Sequence, residues 1–589
     1  MRAPMHALLE ELGRSGADAL RAAFGPDGIP EALSIEPSTR ADLQTAAAMG
    51  LARALKKPPR DIAQKVLDAL ATHPAVARAE LAGAGFVNLT LRDAWLAEHL
   101  PDALAMPDVG RGATVVIDYS SPNVAKPMHI GHIRSTILGE ALKRVLRATG
   151  YAVVADNHLG DWGTQFGKLI VAYRRWLDPS AYSENPVGEL LRLYVKYTET
   201  EKAQRGATAK PEGEGDDDEP VTDDAPEILK AARAELVKLQ RGDPENLALW
   251  KDFVDVSMKE FDRVYRRLGV GFDVTLGESF YNDMLAETVD DLLARGIAEP
   301  SRGAVIVQFD KARDGEAMPP FLVRKADGGF LYGTTDIAAV RYRVKEWSPA
   351  RVVYVTDERQ QLHFRQLFAT ARRMGVEARL EHVWFGLMRM AEGTIKTRDG
   401  NVIGLESLLD EAEERAREVA RGANAALTDD EVAEVARVVG VGAVKYNDLS
   451  KDRQTLVTFT WDKALALNGN TAPYLQYAYA RVRSILRKAA EQGAEPGPVG
   501  ALEPAERGLI LALLRLPLAV RDVAETCRPH LLCDQLYQVA TAFSTFYNEC
   551  PVLKAEPAVR ASRLTLTAAV ADGLKAGLGL LGIEVLERM

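Results

Sequence analysis

The chain has 589 residues, of which 47% are hydrophobic and 26% are charged, and its formal net charge is −10. This length is too great for a single hydrophobic core and indicates three or four domains of an ordinary soluble protein. The negative charge, taken alone, argues against a nucleic-acid partner, but much of it lies in one tract, 212–224, and electrostatic steering depends on local patches.

The sequence lacks the marks of export and of membrane insertion. The first thirteen residues have an amphipathic helix pattern rather than the apolar segment of a signal peptide, and no apolar run is long enough to span a bilayer. We therefore expect a cytoplasmic protein. The three cysteines, Cys527, Cys533 and Cys550, lie on apolar helical segments without zinc-ligand spacing. We interpret them as reduced packing residues and expect no structural metal.

Residues 1–110 are predicted to form a small α/β unit. Apolar periodicity indicates helices over 7–24, 41–55 and 59–72, followed by strands over 77–81 and 86–91. In the second strand, Phe86 and Asn88 combine an aromatic ring, which can stack on a base, with an amide, which can hydrogen-bond to a base edge. An ordinary strand explains the same two residues equally well.

The stretch 115–167 carries the strongest chemical pattern. A β-branched run, 115–119, precedes a polar loop and a helical pattern over about 131–149, which predicts a strand–loop–helix unit. His129 and His132 lie three residues apart, so both imidazoles share one face of the first turn. The helix N-terminus favours a phosphate, and Gly131 leaves room for a nucleotide near the backbone. The alternative is a pair of helix-capping histidines on an ordinary α/β turn.

Residues 111–465 have the pattern of an α/β fold with a doubly wound parallel sheet, in which ligands bind at the carboxyl ends of the strands. The strand patterns that alternate with helices are 115–119, 152–155, 305–309, 351–355 and 382–385. The region 176–274 interrupts this alternation with helical, highly charged sequence. Within it, 206–226 has the composition of a disordered loop, for which we expect no catalytic role.

From about residue 428 the sequence is almost wholly helical. Apolar residues at helical spacing over 470–481, 507–525, 533–547 and 562–580 predict an all-α bundle in the region 466–589. Tyr474 and Tyr477 can stack on nucleotides. The equally open alternative is that both are buried bundle aromatics.

Residues His129-Ile130-Gly131-His132 resemble the signature of class I aminoacyl-tRNA synthetases and of related nucleotidyltransferases. The longer strings SPNVAKPMHIGHIRST, at 121–136, and NHLGDWGTQFG, at 157–167, are similar to arginyl-tRNA synthetases in particular. The resemblance extends over nearly the whole chain. It implies a tRNA-contacting domain over 1–110, a class I catalytic domain over 111–465 with stem-contact helices after 410, and an anticodon-binding bundle over 466–589.

The resemblance also implies the site residues. Those implied to be catalytic are Lys126, His129 and His132. Those implied to bind ATP are Pro127, Met128, Ile130, Gly131, Lys396, Thr397 and Arg398. Those implied to bind arginine are Asp118, Asn123, Tyr332, Asp336 and Gln360, and those implied to bind tRNA are Phe86, Asn88, Tyr474 and Tyr477.

One motif departs from the class I pattern. The second signature, Lys-Met-Ser-Lys-Ser, usually supplies a lysine to the pyrophosphate side of the transition state, but GTIKTRDG stands at 393–400 and Thr397 takes that lysine's place. Many members of the family share this departure and carry a lysine shortly before the first signature, which here is Lys126. Lys396 and Arg398 are the alternative sources of positive charge.

The chemistry of a guanidinium agrees with the implied pocket. Arginine stays charged and presents five donors, so its pocket needs a carboxylate and amide oxygens. Tyr332 and Asp336 are four residues apart and share one helix face. Without the resemblance, such a pair is more often a surface pair.

The implied activity is arginine–tRNA ligation. The arginine carboxylate attacks the α-phosphorus of ATP, and the resulting arginyl-adenylate acylates the terminal ribose of tRNA. ATP with its Mg²⁺, L-arginine and the cognate tRNA are the expected ligands, with no membrane partner, and we expect a monomer. No β-rich editing pattern interrupts the fold. The rival hypotheses are a small-molecule adenylyltransferase and a catalytically inert tRNA-binding relative.

Overall fold

The computed structural model describes residues 3–205, 225–391, 404–423 and 427–589. The first hundred residues place helices against one antiparallel sheet whose strand order is β1-β2-β4-β3. The elements are α1 (Pro4–Phe24), β1 (Glu36–Pro37), β2 (Leu43–Thr45), α2 (Ala47–Leu55), α3 (Pro59–Leu70), β3 (Val76–Ala82), β4 (Phe86–Leu91) and α4 (Asp93–His99). The helix expected over 41–55 is wrong in its first part, because Leu43 and Thr45 alternate with Gln44 as a strand does and pair with β4.

The middle of the chain has the alternating pattern of an α/β domain. Its strands are β5 (Thr114–Asp118), β6 (Ala152–Asp156), β7 (Glu299–Ser301), β8 (Ala304–Val307), β9 (Phe321–Arg324), β10 (Arg351–Tyr354), β11 (Arg379–His382), β12 (Met388–Met390) and β13 (Val457–Phe459). Its helices are α5 (Ile130–Ala148), α6 (Thr164–Trp176), α7 (Pro179–Glu184), α8 (Pro186–Arg205), α9 (Glu227–Gln240), α10 (Pro244–Leu268), α11 (Leu285–Ala294), α12 (Lys311–Asp314), α13 (Tyr332–Trp347) and α14 (Gln361–Arg373).

The central sheet is parallel and has the strand order β11-β10-β5-β6. After β5 the chain moves to β6 on one side, whereas β10 and β11 lie on the other side. A switch point therefore lies between the carboxyl ends of β5 and β10, where open α/β sheets bind ligands. Two expected strands need correction: 305–309 corresponds to β8 in a separate antiparallel sheet, β7-β8-β9, and 382–385 corresponds to a strand that begins at Arg379.

The described part of the inserted region, 176–205 and 225–268, consists of the helices α7 to α10 and their short connections. These helices pack on α6 through Phe166, Leu169 and Ile170. The cluster also takes in Val124 and Ala125 from the loop after β5. The insertion therefore packs against the loop that follows β5, near the switch point of the sheet. Residues 206–224, which include the whole acidic tract 212–224, lie outside the described residues.

The last part of the chain is helical, as expected. Its helices are α15 (Leu405–Ala423), α16 (Asp429–Leu449), α17 (Trp461–Ala464), α18 (Ala472–Glu491), α19 (Pro504–Leu514), α20 (Leu516–Thr526), α21 (His530–Glu549) and α22 (Pro557–Leu580). The single helix expected over 507–525 is two helices that meet at Arg515, with Pro517 in the first turn of the second. Within the described ranges, no helix is both long enough and apolar enough to cross a membrane.

The N-terminal unit docks on this helical region through charged groups. Arg507 on α19 donates to the carboxylates of Asp42 and Asp93, and to the carbonyl oxygen of Leu91 at 2.9 Å. Arg515 donates to the carbonyl oxygen of Asp42 at 2.7 Å. These hydrogen bonds therefore join the N-terminal unit to the C-terminal helical region.

Candidate active site

The candidate active site lies at the switch point of the parallel sheet. The backbone of Val355, just after β10, donates to the carbonyl oxygen of Asp118 at the end of β5 (2.9 Å). Ser135 on α5 links the same elements, because its hydroxyl donates to Val355 and accepts from the N–H of Ser120. These bonds hold the loop 119–129 and the first turn of α5 against the carboxyl end of β10.

The two signature histidines cap α5. His129 is the N-cap residue, and its Nδ1 accepts the N–H of Gly131 (3.0 Å). The Nδ1 of His132 accepts the N–H of His129 (3.1 Å), and the ring centroids are 4.0 Å apart. The capping role that the sequence left open is therefore present, and it fixes the orientation of both rings.

Both imidazoles are neutral hydrogen-bond donors near pH 7. Burial lowers the pKa of His129, with the charge of Lys126 acting in the same direction. Burial, helped by His129 and Lys126, lowers the pKa of His132 to about 4. Because each Nδ1 accepts a backbone N–H, the proton of each ring is on Nε2. The pair can therefore donate two N–H groups to an anion without adding charge.

The helix N-terminus differs from the expected phosphate cradle of backbone amides. The N–H groups of Gly131 and His132 are bonded within the cap, the second to the carbonyl oxygen of His129 (2.8 Å). A Cβ on Gly131 would lie 2.7 Å from the His129 ring. Glycine at this position therefore makes room for the folded imidazole, and the imidazole Nε2 atoms replace the amides as donors.

The other predicted ATP-binding residues flank this cap. Met128 is buried, whereas Pro127 and Ile130 are half-buried. The carbonyl oxygen of Met128 accepts the N–H of Leu405 (2.9 Å), and His129 forms an antiparallel bridge with Gly404. Lys396, Thr397 and Arg398 lie outside the described residues. Gly404 and Leu405, the first described residues after 392–403, therefore lie against the first signature motif.

Lys126 belongs to the same site. Its charge contributes to the lowered pKa of both histidines. Its Nζ lies 4.6 Å from the centroid of the Tyr194 ring, which is on α8 of the insertion. The loop that carries it has left-handed backbone at three residues other than glycine, namely Ser120, Ser121 and Ala125. The lysine is thus held at a defined place beside the cap.

Both carboxylate oxygens of Asp118, a predicted arginine-binding residue, already accept hydrogen bonds within the protein. One carboxylate oxygen accepts from the buried Arg343 (2.7 Å) and the other accepts from Ser121 (2.9 Å). Arg343 also bonds Asp156 at the end of β6 (2.7 Å). Burial disfavours the guanidinium charge, but the two carboxylates outweigh it and raise the pKa of Arg343. Direct pairing of Asp118 with a ligand stays a prediction.

The same carboxylates form a metal-like cluster. Among the described residues, ligand atoms of Asp118, Asp156 and His158 lie within 4.8 Å of one another. The guanidinium of Arg343 already bonds both carboxylates. A divalent cation between them would be repelled by this fixed charge, so these residues do not fit a metal ion.

The first turns of α13 carry the next pair. Tyr332 is 60% exposed, and its ring centroid lies 5.1 Å from that of His363. Asp336, one turn later, accepts a hydrogen bond from Nε2 of His363 at 2.6 Å. Burial raises the pKa of Asp336, but the bond and charge of His363 outweigh it and leave the pKa below its usual value. Asp336 is therefore an ionised carboxylate held in one orientation.

Two amides complete the set of residues that the resemblance assigns to arginine binding. Gln360 is exposed and stands at the N-cap of α14, which carries His363. Asn123 is exposed beside Gly160, where a Cβ would lie 2.0 Å from the amide oxygen of Asn123. The glycine of the 157–167 motif thus makes room for Asn123.

Glu278 is a candidate site residue that the sequence analysis did not identify. It begins a short 3-10 helix, 278–284, and burial together with the charges of Asp336 and Asp161 raises its pKa to about 8. Glu278 and Asp336 therefore form an acidic pair with separated pKa values, which is characteristic of functional sites. The available signal was Gly277, where a Cβ would lie 2.4 Å from the carboxylate of Asp161 in the 157–167 motif.

Comparison with known proteins decides the family. A family model described as tRNA synthetases class I (R), catalytic domain, matches residues 99–461. The chain belongs to the arginyl-tRNA synthetase family. Models described as arginyl tRNA synthetase N terminal domain and DALR anticodon binding domain match residues 11–91 and 475–589 of this family member.

Full-length relatives agree with this assignment. An arginine–tRNA ligase of Laribacter hongkongensis is 45% identical over 97% of this chain and 99% of its own length. One of Fusobacterium nucleatum is 43% identical over 93% of both chains. The solved structure of Thermus thermophilus arginyl-tRNA synthetase has a TM-score of 0.81 and 25% identity, covering 99% of this chain and all of its own. The fold class expected from the sequence is therefore confirmed.

The residues that the arginyl-tRNA synthetase resemblance assigns to tRNA differ in exposure. Phe86 and Asn88 alternate with buried residues on the half-exposed face of β4, and Asn88 accepts from Gln44 (2.5 Å). Tyr477 is 48% exposed, whereas Tyr474 packs near Tyr537 and is within hydrogen-bond distance of Ser544. Tyr477 has the more accessible ring, and Tyr474 fits the alternative of a bundle aromatic.

Proposed function

We propose that this chain activates L-arginine with ATP and transfers the arginyl group to the 3′ end of its cognate tRNA. The capped histidines at the switch point of the parallel sheet carry the proposal, together with the ionised Asp336 and with Glu278, whose pKa the charge of Asp336 helps to raise. An amino acid with a planar cation suits the carboxylates, and a polyphosphate suits the two Nε2–H donors and the nearby ammonium of Lys126. Membership of the family gives the two substrates their identities.

The residues divide the activation step between them. Asp336 and Glu278 hold the guanidinium, with Tyr332, Asn123 and Gln360 at its border and Asp118 held by Arg343 behind it. His129 and His132 donate to the phosphates, while Lys126 stabilises the charge that develops on pyrophosphate. The arginine carboxylate attacks the α-phosphorus and pyrophosphate leaves, so the protein supplies position and electrostatics and no nucleophile. Mg²⁺ arrives as part of the nucleotide substrate.

The remaining assignments follow from the same proposal. We place the tRNA elbow on residues 1–110, through Phe86 and Asn88, and the anticodon on 466–589, through Tyr477 and Tyr474. The acceptor stem then runs over the catalytic region, 111–465. A monomer suffices for this scheme, since both halves of the tRNA contact one chain, and a role in translation places it in the cytoplasm.

The decisive assay is ATP–pyrophosphate exchange with and without arginine and tRNA. We expect exchange that needs arginine and, as is typical of the family, is negligible until tRNA is added. Exchange with another small molecule, or none under any condition, would contradict the proposed reaction. Fast exchange without tRNA would leave the reaction intact and contradict only the requirement for tRNA.

Glu278 makes arginine binding depend on pH. Its raised pKa of about 8 leaves it largely protonated at pH 7, and a bound guanidinium favours the carboxylate. Arginine binding therefore releases a proton. The arginine KM should fall as pH rises from 6.5 towards 8, by at most about tenfold per unit, and level off above it. Glu278→Gln should flatten this profile, and a wild-type KM independent of pH would contradict the assignment.

A further inference from the structure

The loop that carries Lys126 is strained and needs support. Ser120, Ser121 and Ala125 have φ values of 71°, 48° and 63°, in the left-handed region that non-glycine residues rarely adopt. Such a conformation is unfavourable for a non-glycine residue and persists only where surrounding contacts impose it. The helical insertion supplies contacts that hold the backbone conformation of Ala125 and the position of the Lys126 side chain.

The first support is a buried hydrogen bond. The N–H of Ala125 donates to Oγ of Ser257 on α10 (2.9 Å), and that hydroxyl donates in turn to the carbonyl oxygen of Phe253 (2.7 Å). Ser257 is fully buried, and Ala125 packs in the same apolar cluster as Phe253. The serine hydroxyl thus fixes the residue immediately before the lysine.

The second support acts on the lysine side chain. The Nζ of Lys126 lies 4.6 Å from the centroid of Tyr194 on α8, within the range of a cation–π contact. Tyr194 is half-buried against the cluster that contains Val124 and Ala125. An aromatic face orients an ammonium without cancelling its charge, as a carboxylate would.

We infer that Tyr194 and Ser257 are positioning residues for Lys126, so that the inserted helices set the rate of arginine activation from outside the nucleotide-binding fold. The inference rests on the proposed role of Lys126. It gives the insertion a part in the reaction that its charged sequence did not suggest. Neither residue touches the reacting atoms, and both act by limiting where the ammonium can lie.

The test compares matched variants in tRNA-dependent ATP–pyrophosphate exchange. Tyr194→Leu should lower kcat by about 5- to 30-fold, the scale of losing a partly desolvated cation–π contact, with the arginine KM unchanged. Tyr194→Phe retains the ring and should restore most of the rate. Tyr182→Leu is the control, because Tyr182 packs in the same cluster but bonds Asp252 (2.6 Å) and should leave kcat near wild type.

The same variants in a Lys126→Ala background separate this inference from the proposal beneath it. If Tyr194 and Ser257 act through Lys126, then Tyr194→Leu and Ser257→Ala should lower kcat in the native background and have no further effect without the lysine. Equal losses in both backgrounds, or a fall with Tyr182→Leu as large as with Tyr194→Leu, would overturn the inference alone. Normal exchange by Lys126→Ala itself would overturn the proposed role of the lysine.

Discussion

Replacing Lys126 with alanine should slow ATP–pyrophosphate exchange by on the order of 10²-fold or more, the scale for losing one charged partner of a transition state. We expect the change to fall on kcat, because in the proposed mechanism the ammonium faces the charge that develops as pyrophosphate leaves. The arginine KM should barely change, since Asp336 and Glu278, which we propose bind the guanidinium, are a separate group of side chains. Single-turnover measurement with saturating arginine, ATP and tRNA isolates this step.

The chain offers a matched control. Lys196, on α8 of the insertion, lies over the ring of Trp176 with its Nζ 5.0 Å from the centroid and its side chain exposed. Lys196→Ala removes a similar cation–π contact and should leave exchange unchanged. If Lys126→Ala kept near-normal exchange, the role would pass to Lys396 or Arg398 in the second signature.

The parts of the site that follow from local sequence were predictable. Helix α5 begins at Ile130, one residue from its expected start, because a β-branched run and the periodicity after it depend only on neighbours. The spacing of His129 and His132 likewise fixes one face of one turn. Their role as caps was weighed as an alternative to binding, whereas the structure lets Nδ1 cap the helix while Nε2 remains a donor.

The parts that depend on distant contacts were not predictable. The run AVIV of β8 reads as a buried strand, but no local pattern tells which sheet it joins. Asp118 forms an ion pair with Arg343, which lies 225 residues later in the chain. Glu278 has no flanking motif, and its pKa is raised because folding buries it and brings the charges of Asp336 and Asp161 near it.

The contribution of the insertion was also hidden. Its charged helical sequence predicts a solvated surface, and much of its exterior is one. The buried Ser257 and the half-buried Tyr194 carry no signal that distinguishes them from other helix residues. What distinguishes them is their contacts with Ala125 and Lys126, which lie more than sixty residues earlier in the chain.

Asp336→Asn should narrow the preference for arginine over lysine and raise the arginine KM. The substitution keeps size and still lets His363 donate to the side-chain oxygen, so the fold of α13 should survive. It removes a charge-assisted bond, worth about 1.5–3 kcal/mol, which corresponds to roughly 10- to 150-fold in arginine affinity. ATP binding should change little, because the histidine cap is untouched.

Asp336→Asn should raise the KM for lysine less than the KM for arginine. This difference decides whether Asp336 belongs to the arginine pocket. A lysine ammonium has three donors on one point and leaves oxygens of Asp336 and Glu278 partly unpaired, and two or three such losses give about 10⁴-fold discrimination. Asp336 therefore contributes less to the binding of lysine than to that of arginine, and Asp336→Asn should weaken lysine binding less. Exchange kinetics for both amino acids on wild type and variant measure the ratio. An unchanged ratio would remove Asp336 from the pocket, and hydrolysis of lysyl-tRNA by the wild-type protein would show that the pocket alone does not set the specificity.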